Sequence, residues 1–261
     1  MPFAAAAGHR LEYAWLGPPA GAAPTLVFLH EGLGSLSLWR GFPQRLVEAT
    51  GCGGLVYSRW RYGKSDPVTP PRPLNYMHDE AKALPELLKA LDVRDAILVG
   101  HSDGASIAII YAGSEPAIRL RGLVLEAPHV FAEDLSLKSI AKAKKAFETG
   151  GLRAPLARHH DDPDGAFWGW NRAWLDPEFR KWNLEDFIPR IQVPTLIVQG
   201  QKDEYGTVRQ IEAIHSAAKT RVQVALIPKC GHSPHRDQPE ATLEAMVPFI
   251  RSLLEPTSRR Q

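Results

Sequence analysis

Cysteine is scarce: Cys52 and Cys230 are the only two, and they stand far apart. That excludes a disulfide framework and reads as a protein of a reducing, cytoplasmic compartment. An excess of one charge is missing too. With 31 basic and 29 acidic residues the formal net charge is +2, so neither nucleic acid nor an anionic membrane surface is implied as a partner. No apolar run reaches membrane-spanning length. Ala4–Ala7 is too short for a signal-peptide core and has no basic residue ahead of it. Internal repeats are absent. What is left is ordinary globular composition, 44% hydrophobic and 23% charged over 261 residues, enough for one large α/β domain with an insertion. Oligomeric state is left open.

The stretch around which the chain is organised is Ala96-Ile97-Leu98-Val99-Gly100-His101-Ser102-Asp103-Gly104, followed by Ala105–Ile110. A short apolar run with the composition of a buried strand passes directly into small and aliphatic residues at helical spacing. So sharp a turn puts its corner residue in a strained conformation, which the neighbours permit only if they lack bulk. Gly100 and Gly104 flank Ser102 at i−2 and i+2, the G-x-S-x-G pattern that lifts a serine oxygen to a helix N-terminus.

Around this centre, strands are expected at Leu11–Leu16 (a first edge strand), Thr25–Leu29, Gly54–Ser58, Leu120–Leu125, Thr195–Val198 and Val222–Ile227. Helices are expected at Leu38–Ala49, Met77–Leu91, Thr207–Ala218 and Pro239–Leu254, the last capped by Asp237 with Glu240. This alternation implies βαβ units and a parallel sheet. It stops between Val130 and Ile188, where the pattern is helical and Phe167, Trp168, Trp170, Trp174, Phe179, Trp182 and Phe187 gather within about twenty residues. His159, His160, Asp161 and Asp162 invite a metal reading, but consecutive residues on a helix point different ways, and a polar solvated turn is expected instead.

A serine becomes a good nucleophile only when a base, oriented by a carboxylate, removes its proton. In open parallel sheets such groups collect after the carboxyl ends of strands. Asp203 follows the strand Thr195–Val198 and His232 follows Val222–Ile227, in the order serine, acid, histidine. On these motifs the chain resembles the α/β-hydrolase superfamily over essentially its whole length. The resemblance implies a mostly parallel central sheet flanked by helices, with a core at 1–129 and 189–256, a helical cap at 130–188 and a flexible tail at 257–261.

It further implies Ser102 as nucleophile, His232 as base and acid, and Asp203 as the orienting acid. Glu126, ending the preceding strand, is the reserve acid and His235 the rival base, while His101 reads as a packing residue. The two oxyanion donors implied are the backbone N–H groups of Asp103 and of Gly32, in a His30-Glu31-Gly32-Leu33-Gly34 loop like the family's. Glu31 stands where the family usually has glycine. A carboxylate aimed at the hole would oppose the anion, so Glu31 is expected to turn away or pair with Arg59 or Arg61. The segment Arg61-Tyr62-Gly63-Lys64-Ser65 resembles the family's Arg-Gly-Tyr-Gly and reads as structural. Leu33, His129, Trp168 and Trp174 are the candidate substrate-binding residues, although cap tryptophans serve equally as core. Serine at the apex excludes the family's aspartate chemistries, the dehalogenases and epoxide hydrolases. The expected activity is hydrolysis of a small or medium carboxylic ester, lactone or thioester, with no metal and no cofactor. An acyltransferase, a C–C bond hydrolase or a non-catalytic binding member are the alternatives.

Overall fold

A strand that is apolar at every position must be covered on both faces, and the computed structural model of the chain, which describes residues 1–67 and 71–255, sets several such strands side by side. In chain order the elements begin with β1 (Phe3–Ala6), β2 (His9–Leu16), β3 (Thr25–Leu29), α1 (Phe42–Thr50), β4 (Gly53–Tyr57), α2 (Tyr76–Ala90), β5 (Asp95–His101), α3 (Asp103–Ala112) and β6 (Arg119–Glu126). A helical stretch follows, with α4 (Asp134–Glu148), α5 (Arg153–Leu156) and α6 (Pro163–Leu175). The chain then returns to β7 (Thr195–Gly200), α7 (Val208–Ala217), β8 (Val222–Ile227), α8 (Pro234–Asp237) and α9 (Pro239–Leu254).

Among the described residues the eight strands form one sheet in the order β1-β2-β4-β3-β5-β6-β7-β8. Only the β1–β2 and β2–β4 pairings are antiparallel; β4 through β8 run parallel. The alternation along each strand sorts the core into two layers. Val27, Leu29, Ala96 and Leu98 pack with α2 and α3. Leu26, Phe28, Ile97 and Val99 pack with α1 and α9. This is the α/β architecture expected from the sequence, with helices on both faces of a mostly parallel sheet.

Several local expectations change. The first edge strand is β1, an alanine-rich segment without the alternation that marks a strand, and β2 lies inside it. The expected helix from Leu38 divides into a 3₁₀ turn at Leu36–Trp39 and α1, because Pro43 lacks an N–H and belongs in a first turn. Asp237 does not cap the last helix: its Oδ2 accepts the Gly231 N–H at 3.1 Å, and Gln238 holds the cap position. The tail expected at 257–261 lies outside the described residues, as do residues 68–70 of the proline-rich loop.

The β5–α3 junction has no loop. Ser102 occupies it with φ 52° and ψ −116°, the left-handed side of backbone space that residues with a Cβ rarely adopt. A Cβ on Gly100 would lie 2.5 Å from the Gly104 carbonyl oxygen, and one on Gly104 would run into the Leu29 backbone of β3. Backbone cannot move aside as a side-chain end can. Gly104→Ala is therefore expected to destabilise the protein by about 1–3 kcal/mol, the usual range for overpacking. Urea unfolding measures this, and an unchanged midpoint would contradict the close approach.

Candidate active site

The turn at the carboxyl end of β5 and the loops that leave the carboxyl ends of β7 and β8 converge. Ser102 Oγ stands 2.9 Å from His232 Nε2. On the far side of that imidazole, Nδ1 lies 2.9 Å from each carboxylate oxygen of Asp203. A carboxylate can only accept, so Nδ1 carries the proton and Nε2 presents its lone pair to the Ser102 hydroxyl. The two loops meet because Gly200, at the end of β7, packs against the backbone of Cys230 and Gly231 with no room for a Cβ. The Lys202 N–H donates to the Cys230 carbonyl at 2.9 Å.

Asp203 is oriented from several sides. Tyr205 and Gly206 donate backbone N–H groups to Oδ1 at 2.7 and 3.1 Å, and Gln199 donates Nε2–H to Oδ2 at 2.6 Å. Burial raises its pKa, but the charge and hydrogen bond of His232 and the Tyr205 N–H outweigh burial and bring it down to about 2. The reserve carboxylate is differently engaged. Glu126 Oε2 takes the His235 N–H at 3.1 Å and His235 Nδ1 at 2.9 Å. His235 is thus bound to Glu126 while His232 faces Ser102.

The loop after β3 is anchored from below. The His30 imidazole, neutral because burial lowers its pKa, donates Nδ1–H to the Glu31 carbonyl at 2.7 Å and accepts the Arg59 N–H on Nε2 at 3.1 Å. The Arg59 guanidinium reaches the same carbonyl at 2.8 Å and clasps buried Glu80 at 2.9 and 2.8 Å. The Glu31 side chain pairs with neither Arg59 nor Arg61. Its Oε2 lies 3.4 Å from Nδ1 of His101, so His101 is more than packing. Gly32 is buried, and a Cβ there would enter the indole of Trp170. The Asp103 N–H opens α3 and has no acceptor within that helix.

The Asp103 side chain turns inward, where Tyr76 Oη makes a short hydrogen bond to Oδ2 and Trp174 Nε1 donates to Oδ1 at 3.3 Å. Trp174 also lies edge-on to His129, 5.5 Å between centroids, and His129 lies 5.4 Å from His232. Burial, then the charge of His232, lowers the His129 pKa to about 3 and keeps that imidazole neutral. Leu33 is half-buried, and its carbonyl meets His160 Nε2 at 3.0 Å.

Trp168, a candidate substrate-binding residue, is placed away from Gly32 and His232. It packs edge-on to Phe147 and Phe167 under the Arg172 guanidinium, within the helical stretch itself. Trp170 takes the place against Gly32. Sequence reasoning also missed Tyr205, whose ring lies 4.6 Å from His232, and Tyr76. The expected solvated turn is not one at His160, which is buried and accepts the Gly63 N–H at 2.9 Å. Among the described residues no group of three or more His, Cys, Asp or Glu side chains could hold a metal.

The sequence profile described as the alpha/beta hydrolase family matches residues 26–245. A human protein, serine hydrolase BPHL, is 27% identical over 189 residues, a match covering 67% of this chain and 61%, less than two thirds, of that protein. The mouse sn-1-specific diacylglycerol lipase ABHD11 is 24% identical over 262 residues, covering 87% of this chain and 81% of the lipase. The solved esterase EaEST from Exiguobacterium antarcticum superposes with a TM-score of 0.75 at 21% identity, covering 95% of this chain and 98% of that one, a likeness of fold. A family profile spanning most of the chain, on a sheet of this order, makes the chain a member of the alpha/beta hydrolase family.

Proposed function

We propose that the protein hydrolyses small or medium carboxylic esters, lactones or thioesters through an acyl-enzyme on Ser102. The observation that carries this reading is the unbroken relay of 2.9 Å contacts from Ser102 Oγ through His232 to Asp203, set on a strained strand-to-helix turn. Relatives that are a serine hydrolase and a diacylglycerol lipase support it.

In this mechanism Ser102 Oγ bonds to the substrate carbonyl carbon while its proton passes to His232 Nε2. The carbonyl π pair moves onto oxygen, and the resulting oxyanion takes hydrogen bonds from the N–H groups of Asp103 and Gly32, each worth about 3 kcal/mol in the transition state. Collapse breaks the bond to the leaving group, which takes the proton from His232. A water deprotonated by His232 then attacks the acyl-enzyme, and a second collapse releases the acid and restores the serine. Asp203 stays ionised throughout, holding the imidazole in its working tautomer and stabilising the imidazolium.

The helical stretch between β6 and β7 serves as the cap. Trp170 lies over Gly32, and Trp174 and His129 close the side next to His232. With Ser102 only 7% exposed, such a roof suits a compact acyl group and excludes long lipid chains.

Ser102→Ala should abolish turnover of p-nitrophenyl acetate and butyrate, a loss on the order of a millionfold, and block labelling by a fluorophosphonate. A variant that kept most of its activity would overturn the assignment. Asp203→Asn should cost about ten-thousandfold in kcat by favouring the wrong tautomer. Glu126→Gln should instead act mainly on stability, since its carboxylate serves His235; the reverse ranking in kcat would exchange the two roles. Trp170→Ala should change the preference among acetyl, butyryl and octanoyl esters, and Trp168→Ala should leave that preference alone. Steady-state kinetics over the ester series distinguishes these outcomes.

A further inference from the structure

His101 joins two loops to the Ser102 turn at one buried imidazole. It belongs to the turn that carries Ser102. Its Nε2 lies 2.7 Å from the carbonyl oxygen of His232, and its Nδ1 faces the Glu31 carboxylate at 3.4 Å. A carbonyl can only accept, so Nε2 bears a proton; a carboxylate can only accept, so Nδ1 is satisfied only by bearing one as well. The geometry therefore calls for an imidazolium, compensated by Glu31.

We infer that the Glu31–His101 pair is a positioning device that holds the Gly32 loop and the His232 loop in register with Ser102. The inference rests on the serine-hydrolase reading above. Glu31 directly precedes Gly32, the second oxyanion donor, and the loop turns back at once, with the Gly34 N–H donating to the Glu31 carbonyl at 3.1 Å. There is no room for a Cβ on Gly34 because the Glu31 carboxylate folds under it. The side chain is thus part of the loop's own packing, and among the described residues its one charged partner across the site is His101. If His101 loses a proton, it keeps Nε2–H on the His232 carbonyl and turns a lone pair toward the carboxylate. The Gly32 loop then loses its tie to the nucleophile turn.

The groups facing His101 are Glu31 from the loop after β3, Glu126 from the end of β6, His232 from the loop after β8 and His235 from α8, the last two with rings 5.3 and 5.0 Å away. Trp39 lies edge-on at 6.3 Å without a titratable group, and the His129 ring lies beyond His232. Glu126 is already committed to His235, so Glu31 is the carboxylate that governs His101. Burial lowers the His101 pKa, but the hydrogen bond and charge of Glu31, with Glu126 behind, reverse this and bring it to about 8. A base whose pKa is raised on folding stabilises the fold fully below its unfolded value near 6.5, and loses that contribution as pH rises through about 8.

The test is the pH profile of kcat/KM on p-nitrophenyl butyrate, together with an imidazole NMR titration of His101. The parent enzyme should lose activity through an alkaline limb near pH 8, with His101 titrating in the same range. Glu31→Gln should remove that limb and drop His101 below an ordinary histidine. It should also lower kcat/KM about tenfold below the limb, where the parent's pair is intact, less than the hundredfold that a 1 Å misplacement can cost, and the deficit should shrink above it. Glu31→Asp keeps the charge and should keep the limb, which a role in packing alone would not predict. Glu31→Gln with the parent's pH profile, or a parent His101 titrating at 6.5 or below, would overturn the proposal. The NMR titration of the parent enzyme needs no variant to fold. If the parent enzyme fails to label at Ser102, the hydrolase reading fails and the positioning role with it, while the ion pair is still decided by the titration.

Discussion

The close approach of α3 to β3 and β5 is the constraint on which the site depends. A helix that starts with no loop after a strand must lay its first turn against the backbone of the neighbouring strand, and Gly104 sits where any side chain would meet the Leu29 carbonyl. That contact holds Ser102 at positive φ, with its oxygen clear of the sheet and the first amide of α3 beside it. The same step brings the end of β3, and so the Gly32 loop, next to the turn. The Ser102 hydroxyl, the first amide of α3 and the Gly32 loop thus share one small region because of a backbone-to-backbone packing demand.

Buried and half-buried carboxylates surround this region, and four of them have basic partners of their own. Glu80 serves Arg59 and Arg72, Glu126 serves His235, Glu31 faces His101, and Asp203 faces His232. Charges taken out of water are costly unless paired and hydrogen-bonded, so the pairing is close to exclusive. That exclusivity decides which acid stands behind the histidine that meets Ser102. Asp103 is the exception: among the described residues its carboxyl has no direct ion pair and is held by Tyr76 and Trp174, with its pKa raised by burial and only partly restored by Arg59 and Arg72.

The helical stretch between β6 and β7 is joined to the sheet layer by polar ties as well as by packing. His160 links the Gly63 amide to the Leu33 carbonyl, and Trp174 reaches Asp103 and Tyr76. Trp168 and Trp170 show how helical phase divides the aromatic cluster. Two residues apart on α6 means nearly opposite faces, so Trp168 joins Phe147 and Phe167 while Trp170 meets Gly32. That division was available from periodicity, and it separates the two tryptophans that composition alone groups together.

By itself the sequence determined the alternation of strands and helices, because strands covered on both faces must be apolar throughout and so mark themselves. It likewise determined the sharp turn at Ser102, because only glycine tolerates the contacts at 100 and 104, and it placed Asp203 and His232 after successive strands. It did not mark β1, whose alanines carry no alternation, nor the break before α1, where a proline suits a first turn as well as an early kink. The tertiary structure alone decided the partners of the charged residues. Glu31 could be assigned to an arginine on charge, but it meets a histidine seventy positions away. His160 looked like part of a solvated turn until docking buried it. Such pairings depend on which loops the sheet order brings together, and a hydrogen bond between residues far apart in the chain leaves no local trace of its partner.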